Sequence, residues 1–541
     1  MGEIGLKVSQ LLSRTLFEAK LGPLFGLAGD ANLFLIDSFV REYGGSYIAA
    51  ANEAGSVLMA LGYATVSGRV GLATVTHGPA VTNTLTGMAE GVKSSTPIVL
   101  LCGDTAFADR ENNQNISQRD LIVATGAGFE QLHSPRTAIA DFARAVRRAY
   151  AERRPIAFNM PTDILRSDVK DETQDILLSF SPPSVRPSED TIEDAIGAIA
   201  AAKRPIVLAG RGACDEASRD ALLRLAARID APLATTLRAK DLFRSEKYNM
   251  GIFGTLSSPA ATDAILKSDC IIAFGASLHH YTTSKGTFME GKRIIQVVSR
   301  QGDIGRAYAP QIGLVGTAPE VVGTIIHWLD EAEIKPSGFR DELSADELTT
   351  FPPGGESASS SLDYVDTLYR LNELLPPNRL LVTDGGRHMI KAMQLLDATA
   401  PDDFLFTCNF GSIGLSMSQA IGAAMAKPER PVVVAMGDGG FMLGGLIEFN
   451  TAVRYGLKMI VVIFNDGSYG AEHVQLRDRQ MDPAVSLFNW PDFAPVAQAL
   501  GGTGLTVRNH TDLSRVPQAI VEADGPLLID IKFSPDEMPY Y

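Results

Sequence analysis

Cysteine is scarce. Cys102, Cys214, Cys270 and Cys408 are the four in 541 residues, with no CxxC pair and no Cys/His cluster. That argues against a disulfide framework and a structural zinc site, and small buried core residues is the plainer reading. Long apolar runs are also lacking. Those present, such as Ile98 to Cys102 and Ile460 to Phe464, stop far short of the ~18 residues of a membrane span. Basic blocks are absent as well. Lys and Arg total 48 against 63 Asp and Glu, a net charge of −15, which argues against a nucleic-acid surface. The opening MGEIGLKVSQ has no apolar signal core, so a cytoplasmic protein is expected.

What the sequence does have is alternation. Short β-branched runs (RVGLATVT, TPIVLLCG, RPIVLAGRG, CIIAFGAS, RLLVTDGG, RPVVVAMGDGG, KMIVVIFND, GPLLIDIKF) are separated by longer helical patterns. Continuously apolar strands suit a parallel sheet buried on both faces, and the alternation indicates an α/β fold. Two Pro- and Ser-rich stretches, Ser179 to Asp190 and Phe351 to Ser361, read as linkers. The expectation is three doubly wound parallel-sheet domains over 1–180, 190–345 and 362–541, each large enough for its own core.

The strongest local signal lies in the last third. Val432 to Met442 (VVVAMGDGGFM) and Met459 to Gly470 (MIVVIFNDGSYG) each run from a strand into a Gly-rich turn. Ligands of open parallel sheets bind at the carboxyl ends of strands, where such turns lie. Asp438 and Asn465 are 27 residues apart, about one helix-plus-strand crossover, so they can stand side by side at neighbouring strand ends. Their hard oxygens suit Mg²⁺ with phosphate oxygens completing the shell. Gly437, Gly439 and Gly440 let the backbone approach a diphosphate and offer N–H groups to it. A capped glycine turn would account for GDG alone, but not for GDG followed at this spacing by a strand ending in Asn-Asp-Gly.

This constellation resembles the thiamin diphosphate (ThDP) motif of the pyruvate decarboxylase, acetolactate synthase and benzaldehyde lyase superfamily, and the likeness covers nearly the whole chain. It implies a ThDP-binding fold of pyrimidine, middle and diphosphate domains. It also implies that Asp438, Asn465 and the Gly467 carbonyl hold Mg²⁺, with Gly439 and Gly440 on the diphosphate and Tyr469 in the same cofactor loop. Asp384 to His388 looks like the segment in which a Gly-Gln-His run lines the diphosphate. Gly386 and His388 match it, and Arg387 replaces the Gln. Gly411-Ser412-Ile413-Gly414 resembles the loop whose first Gly gives its carbonyl to the cofactor's 4′-amino group and whose Ile props the cofactor into a V shape.

In the first third, Glu53 opens a helix after a strand. Spacing alone makes it a partner for the helix dipole. The segment resembles the one carrying the cofactor-activating Glu, which would hydrogen-bond N1′ of the aminopyrimidine. In that family the Glu and the diphosphate site come from different subunits, so a homodimer or homotetramer with active sites at the subunit interface is implied. Asp30 matches the active-site Asp of pyruvate decarboxylases, although it could equally cap the next helix. His77 stands where acetolactate synthases carry Ser, and either reaches substrate or is a satisfied loop His.

The family patterns break in places. Neither the His-His pair of pyruvate decarboxylases nor the Phe-Gln-Glu run of acetolactate synthases is intact near Asp120, and Gln114 or Gln118 offers a polar substrate contact instead. Glu472 and His473 are candidate substrate-side acid/base groups, unless they are solvated helix residues. FAD is not expected in the middle domain, because Gly275 to Tyr281 lacks the Arg and acidic positions of the FAD-binding segment.

The implied activity is ThDP- and Mg²⁺-dependent C–C bond cleavage or formation next to a carbonyl. The substrate would be a 2-oxo acid, aldehyde or hydroxy ketone. The alternative is an acetolactate synthase catalytic subunit. An FAD-using oxidase and a catalytically silent cofactor binder are the remaining readings.

Overall fold

The computed structural model describes residues 6–109, 111–169, 185–352 and 362–536. Half of the first expected linker (179–184) and most of the second (353–361) lie outside those residues. Among the described residues no helix is long and apolar enough to cross a membrane.

Among the described residues the chain builds three sheets of six strands each, beside one two-stranded pair. The first third begins with β1 (Leu6–Lys7), which pairs antiparallel with β8 (Asp168–Val169). Its main sheet comprises β2 (Leu24–Gly26), β3 (Tyr47–Ala49), β4 (Gly71–Val75), β5 (Ile98–Asp104), β6 (Gly128–Gln131) and β7 (Ile156–Pro161). Their order is β3-β2-β4-β5-β7-β6, every neighbour parallel.

The middle sheet has β9 (Pro205–Ala209), β10 (Leu233–Thr235), β11 (Asn249–Ile252), β12 (Cys270–Phe274), β13 (Arg293–Val298) and β14 (Ile312–Val315), ordered β11-β10-β9-β12-β13-β14. Together with residues 393–404 it forms a compact unit, with buried residues on both sheet faces.

The last sheet has β15 (Leu380–Thr383), β16 (Phe404–Phe406), β17 (Val432–Gly437), β18 (Met459–Asn465), β19 (Thr503–Val507) and β20 (Leu527–Lys532), ordered β16-β15-β17-β18-β20-β19. Taken in chain order, the strands of the first and last sheets have the same arrangement. The near-continuous apolar runs of β5, β17 and β18 are buried almost end to end, as strands covered on both faces must be.

One face of the first sheet packs a cluster of its own, including Leu24, Leu72, Val99, Leu101 and Phe142, while its other face and the last third share a second core. Its centre is the crossing of α1 (Glu53–Ser67) and α2 (Ser416–Ala426). Both helices are Ala- and Gly-rich, with apolar side chains on nearly every face, as helices buried all round must be. Glycine sets the closeness of the crossing. A Cβ on Gly62 would lie 1.9 Å from the Gln419 carbonyl oxygen, and one on Gly422 would lie 1.9 Å from that of Met59. Gly62→Val should therefore destabilise the protein by about 2–3 kcal/mol or more through overpacking, seen as a fall in melting temperature.

Candidate active site

Strand register sets the first pair of residues side by side. β17 and β18 run parallel with Gly437 opposite Phe464, so Asp438 and Asn465 follow at adjacent strand ends. The Asn465 amide nitrogen donates to Asp530 Oδ1 at 2.9 Å, and its Oδ1 accepts from the Gly467 N–H at 3.3 Å. Gly467 has φ +65°, and its carbonyl accepts from the Phe488 N–H at 2.7 Å. Asp438 is buried, and its Oδ2 has no hydrogen-bond partner. Burial, with the charge of Asp466 as a second cause, raises its carboxyl to about 7. A buried carboxylate oxygen without a partner is costly unless a ligand or cation meets it.

Two further unpartnered atoms lie in the same turn cluster, His388 Nε2 and Arg387 Nε. His388 stacks on Phe464, with ring centroids 5.5 Å apart, and its Nδ1 lies 3.2 Å from where Cβ atoms on Gly386 and Gly437 would be. Burial lowers its pKa to about 4, so it is neutral at pH 7. Arg387 forms a buried ion pair with Asp466 and donates to the Pro535 carbonyl at 2.8 Å.

The glycines leave room for backbone only. A Cβ on Gly439 would lie 2.5 Å from the Tyr469 ring, and one on Gly440 would lie 2.3 Å from Asp384 Oδ2. Unpartnered polar atoms on both sides of a glycine cradle fit a group bearing both anionic oxygens and a cation, as a metal diphosphate does. Among the described residues no group of three or more His, Cys, Asp or Glu is placed to hold a metal. The oxygens gathered here come instead from one carboxylate, one amide and one carbonyl.

Asp384 is the residue that sequence reasoning passed over. It is fully buried at the end of β15 and accepts from the Gly414 N–H at 2.8 Å and 3.1 Å. Burial raises its carboxyl to about 7. It joins the Gly411–Gly414 loop to the GDG turn. Gly411 and Gly414 both have positive φ, +90° and +80°, and Ile413 Cγ2 comes within 3.1 Å of a Cβ placed on Gly385. The sole hint in the sequence was a strand ending in Thr-Asp-Gly-Gly.

In the first third, Asn52 caps α1 by accepting from the Ala54 N–H at 2.8 Å, and Glu53 Oε2 accepts from Asn83 at 3.0 Å. Three other candidates converge at the carboxyl edge of that sheet. The Thr76 hydroxyl donates to Asp30 Oδ1 at 2.8 Å, and His77 Nδ1 lies 3.2 Å from Thr76 Oγ1 and 3.6 Å from Asp30 Oδ1. Because the Thr76 proton goes to Asp30, the His77 ring proton belongs on Nδ1 and Nε2 is left as the unprotonated nitrogen of the neutral ring. A Cβ on Gly78 would lie 2.5 Å from the Gln114 carbonyl, so Gln114 flanks the same turn. Gln118 is committed elsewhere. Its Oε1 accepts from the Gly78 N–H at 2.8 Å, and its amide donates to the Gly103 carbonyl and to Asn159.

Glu472 and His473 part company on the helix Gly470–Asp478. Glu472 is exposed, whereas His473 is buried with Nδ1 3.1 Å from Ser486 Oγ and Nε2 3.2 Å from Asp536 Oδ1. Both of its ring nitrogens are engaged. The Tyr469 ring packs over Gly439 and lies 4.7 Å from that of Phe488.

Two like-ordered parallel sheets and a glycine cradle with an unpartnered Asp suit a diphosphate-bearing cofactor. Comparison with known proteins agrees. Residues 6–124, 192–325 and 384–531 match, in order, the N-terminal TPP binding domain, the central domain and the C-terminal TPP binding domain of thiamine pyrophosphate enzymes. The chain belongs to this superfamily of ThDP-dependent enzymes, which perform decarboxylation and carboligation chemistry.

It is 26% identical over 550 residues to the acetolactate synthase of Mycobacterium leprae (96% of this chain, 86% of the relative). It is 25% identical over 538 residues to that of Bacillus subtilis (97% and 92%). A probable acetolactate synthase large subunit of Methanocaldococcus jannaschii is 25% identical over 550 residues (98% and 93%).

Proposed function

We propose that this chain is a carboligase of the acetolactate synthase type. It would remove CO₂ from a 2-oxo acid and join the remaining acyl unit to a second carbonyl. The end-to-end likeness to acetolactate synthases supports the reaction type. The observation that carries the site is the unpartnered Asp438 oxygen beside Asn465, facing the glycine cradle.

When bound, ThDP supplies the electron sink for breaking the C–C bond. Asp438, Asn465 and the Gly467 carbonyl would hold Mg²⁺ against its diphosphate, with Gly437, Gly439, Gly440, Gly386 and His388 lining it. Tyr469 would cover this turn. Gly411 and Ile413 would hold the bent cofactor. Glu53 would share a proton with the aminopyrimidine, and in a homodimer it would do so across the subunit interface. Exposed Phe410, Leu443 and Ile447, at 50%, 61% and 47%, support a face near the cradle that a second copy covers.

On the substrate side, His77 Nε2 would move the proton, with Asp30 orienting the ring, Gln114 flanking the same turn and Glu472 supplying a further polar contact. This supports a second reading, simple decarboxylation, because aldehyde release needs a proton donor there. His77→Asn should lower turnover about a hundredfold while ThDP affinity stays unchanged, measured by steady-state kinetics beside calorimetry.

The deciding experiment is CO₂ release from a panel of 2-oxo acids, with ThDP and Mg²⁺, with and without a carbonyl acceptor. Release dependent on the acceptor, with a 2-hydroxy ketone product, supports the carboligase. Release without it supports the decarboxylase. No release in either case overturns both.

A further inference from the structure

We propose that one helix of the last third, α3 (Leu446–Arg454), with the adjoining Tyr455, is a splint that holds the loop before Glu53. Its groups reach three of the four residues from the end of β3 to the start of α1. The Ala49 N–H donates to Tyr455 Oη at 2.7 Å, and Arg454 Nη2 donates to the Ala49 carbonyl at 2.8 Å. The Ala51 N–H donates to Glu448 Oε1 at 3.1 Å and Oε2 at 3.3 Å, and the Asn52 N–H donates to Oε1 at 3.2 Å. Glu448 is 1% exposed, and a Cβ on Gly55 would lie 2.1 Å from its Oε1. The first turn of α1 therefore sits directly on this carboxylate. Two backbone N–H groups facing it need an acceptor, which a carboxylate supplies on both oxygens and an amide on one only.

The opposite domain carries a mirror of this contact. Glu90, also 1% exposed, accepts from the Asn409 N–H at 3.1 Å, the Asn409 amide at 2.7 Å and the Phe410 N–H at 2.7 Å. Those residues run directly into the Gly411–Gly414 loop. Each half thus uses one buried Glu to hold the loop of the other half that carries a cofactor-facing residue. The continuous helical run from Asp438 to Arg454 also ties the metal turn to the splint. Glu448, Arg454, Tyr455 and Glu90 act as positioning residues. None of them is required to touch cofactor or substrate.

The inference rests on the reading that Glu53 serves the cofactor, and its test separates the two. Glu448→Gln, Tyr455→Phe, Glu90→Gln and Glu53→Gln are compared by amide hydrogen exchange of the cofactor-free protein, ThDP affinity and turnover. Glu448→Gln should speed exchange over residues 49–55 about tenfold and leave 409–416 unchanged. Its ThDP affinity should stay within about threefold of wild type, while turnover falls about tenfold or more. Tyr455→Phe should do the same more weakly, and it decides the matter if Glu448→Gln does not fold. Glu90→Gln should speed exchange at 409–412 and weaken ThDP binding. Unchanged exchange at 49–55 in Glu448→Gln, or faster exchange with full turnover, overturns the splint. Full turnover in Glu53→Gln overturns the role of Glu53 and leaves the exchange result to judge the splint as a structural contact alone.

Discussion

Glu53→Gln should keep its cofactor and lose nearly all turnover, by about a hundredfold to ten-thousandfold. The substitution preserves size and the hydrogen bond to Asn83, so it tests the proton and not the packing. Calorimetry with ThDP and Mg²⁺ should give wild-type affinity beside the lost rate. The same variant tests the subunit arrangement. If Glu53 of one protomer serves the cradle of its partner, mixing Glu53→Gln with inactive Asp438→Asn should restore activity. Random exchange of protomers leaves one dimer in two mixed, with one intact site, so about a quarter of the wild-type rate is expected. No recovery after demonstrated exchange would place both residues in a site built by one chain.

Asp438→Asn should have the second largest effect, with opposite signs on two properties. Cofactor affinity should fall at least about a hundredfold, because the charged ligand at the cradle is gone. The cofactor-free variant should nevertheless be more stable than the cofactor-free wild type, by an amount on the order of 2 kcal/mol at pH 8. The Asp438 carboxyl is raised to about 7, mainly by burial. Its favourable contribution to the fold is complete below the unfolded value near 4 and is lost as pH rises to about 7. The advantage of the Asn variant should therefore grow across that window and then level off, as melting temperatures at several pH values would register. A cation binds the ionised form, so wild-type affinity for Mg²⁺ and ThDP should fall about tenfold per pH unit below 7. A flat profile would mean that Asp438 is not the ligand.

Asp438 and Asn465 were legible because their pattern is local. An apolar strand, a glycine turn and a crossover of fixed length place two side chains without reference to the rest of the chain. The same holds for Glu53 at a capped helix start and for the glycines at positive φ around Ile413. Asp384, Glu90 and Glu448 were not legible. The hydrogen bonds of Glu90 and Glu448 span more than 300 residues, and nothing near them in sequence marks the partner. His473 shows the converse. Its neighbours Arg477 to Arg479 read as a solvated face, yet Ser486 and Asp536 close over the ring.

The sequence by itself determined the fold class and the order of the three domains, since strand period and turn glycines are local properties, and its likeness to a known family pointed to the ThDP cofactor. Only the tertiary structure decided that a core spans the first and last thirds beside the one the first third keeps to itself. It also decided that Asp30, Thr76 and His77 meet, and that the buried carboxylates Glu448 and Glu90 hold backbone N–H groups at 51–52 and 409–410 from the opposite domain. These depend on how α1 and α2 cross at Gly62 and Gly422, a fit of surfaces distant in the chain that no local pattern encodes.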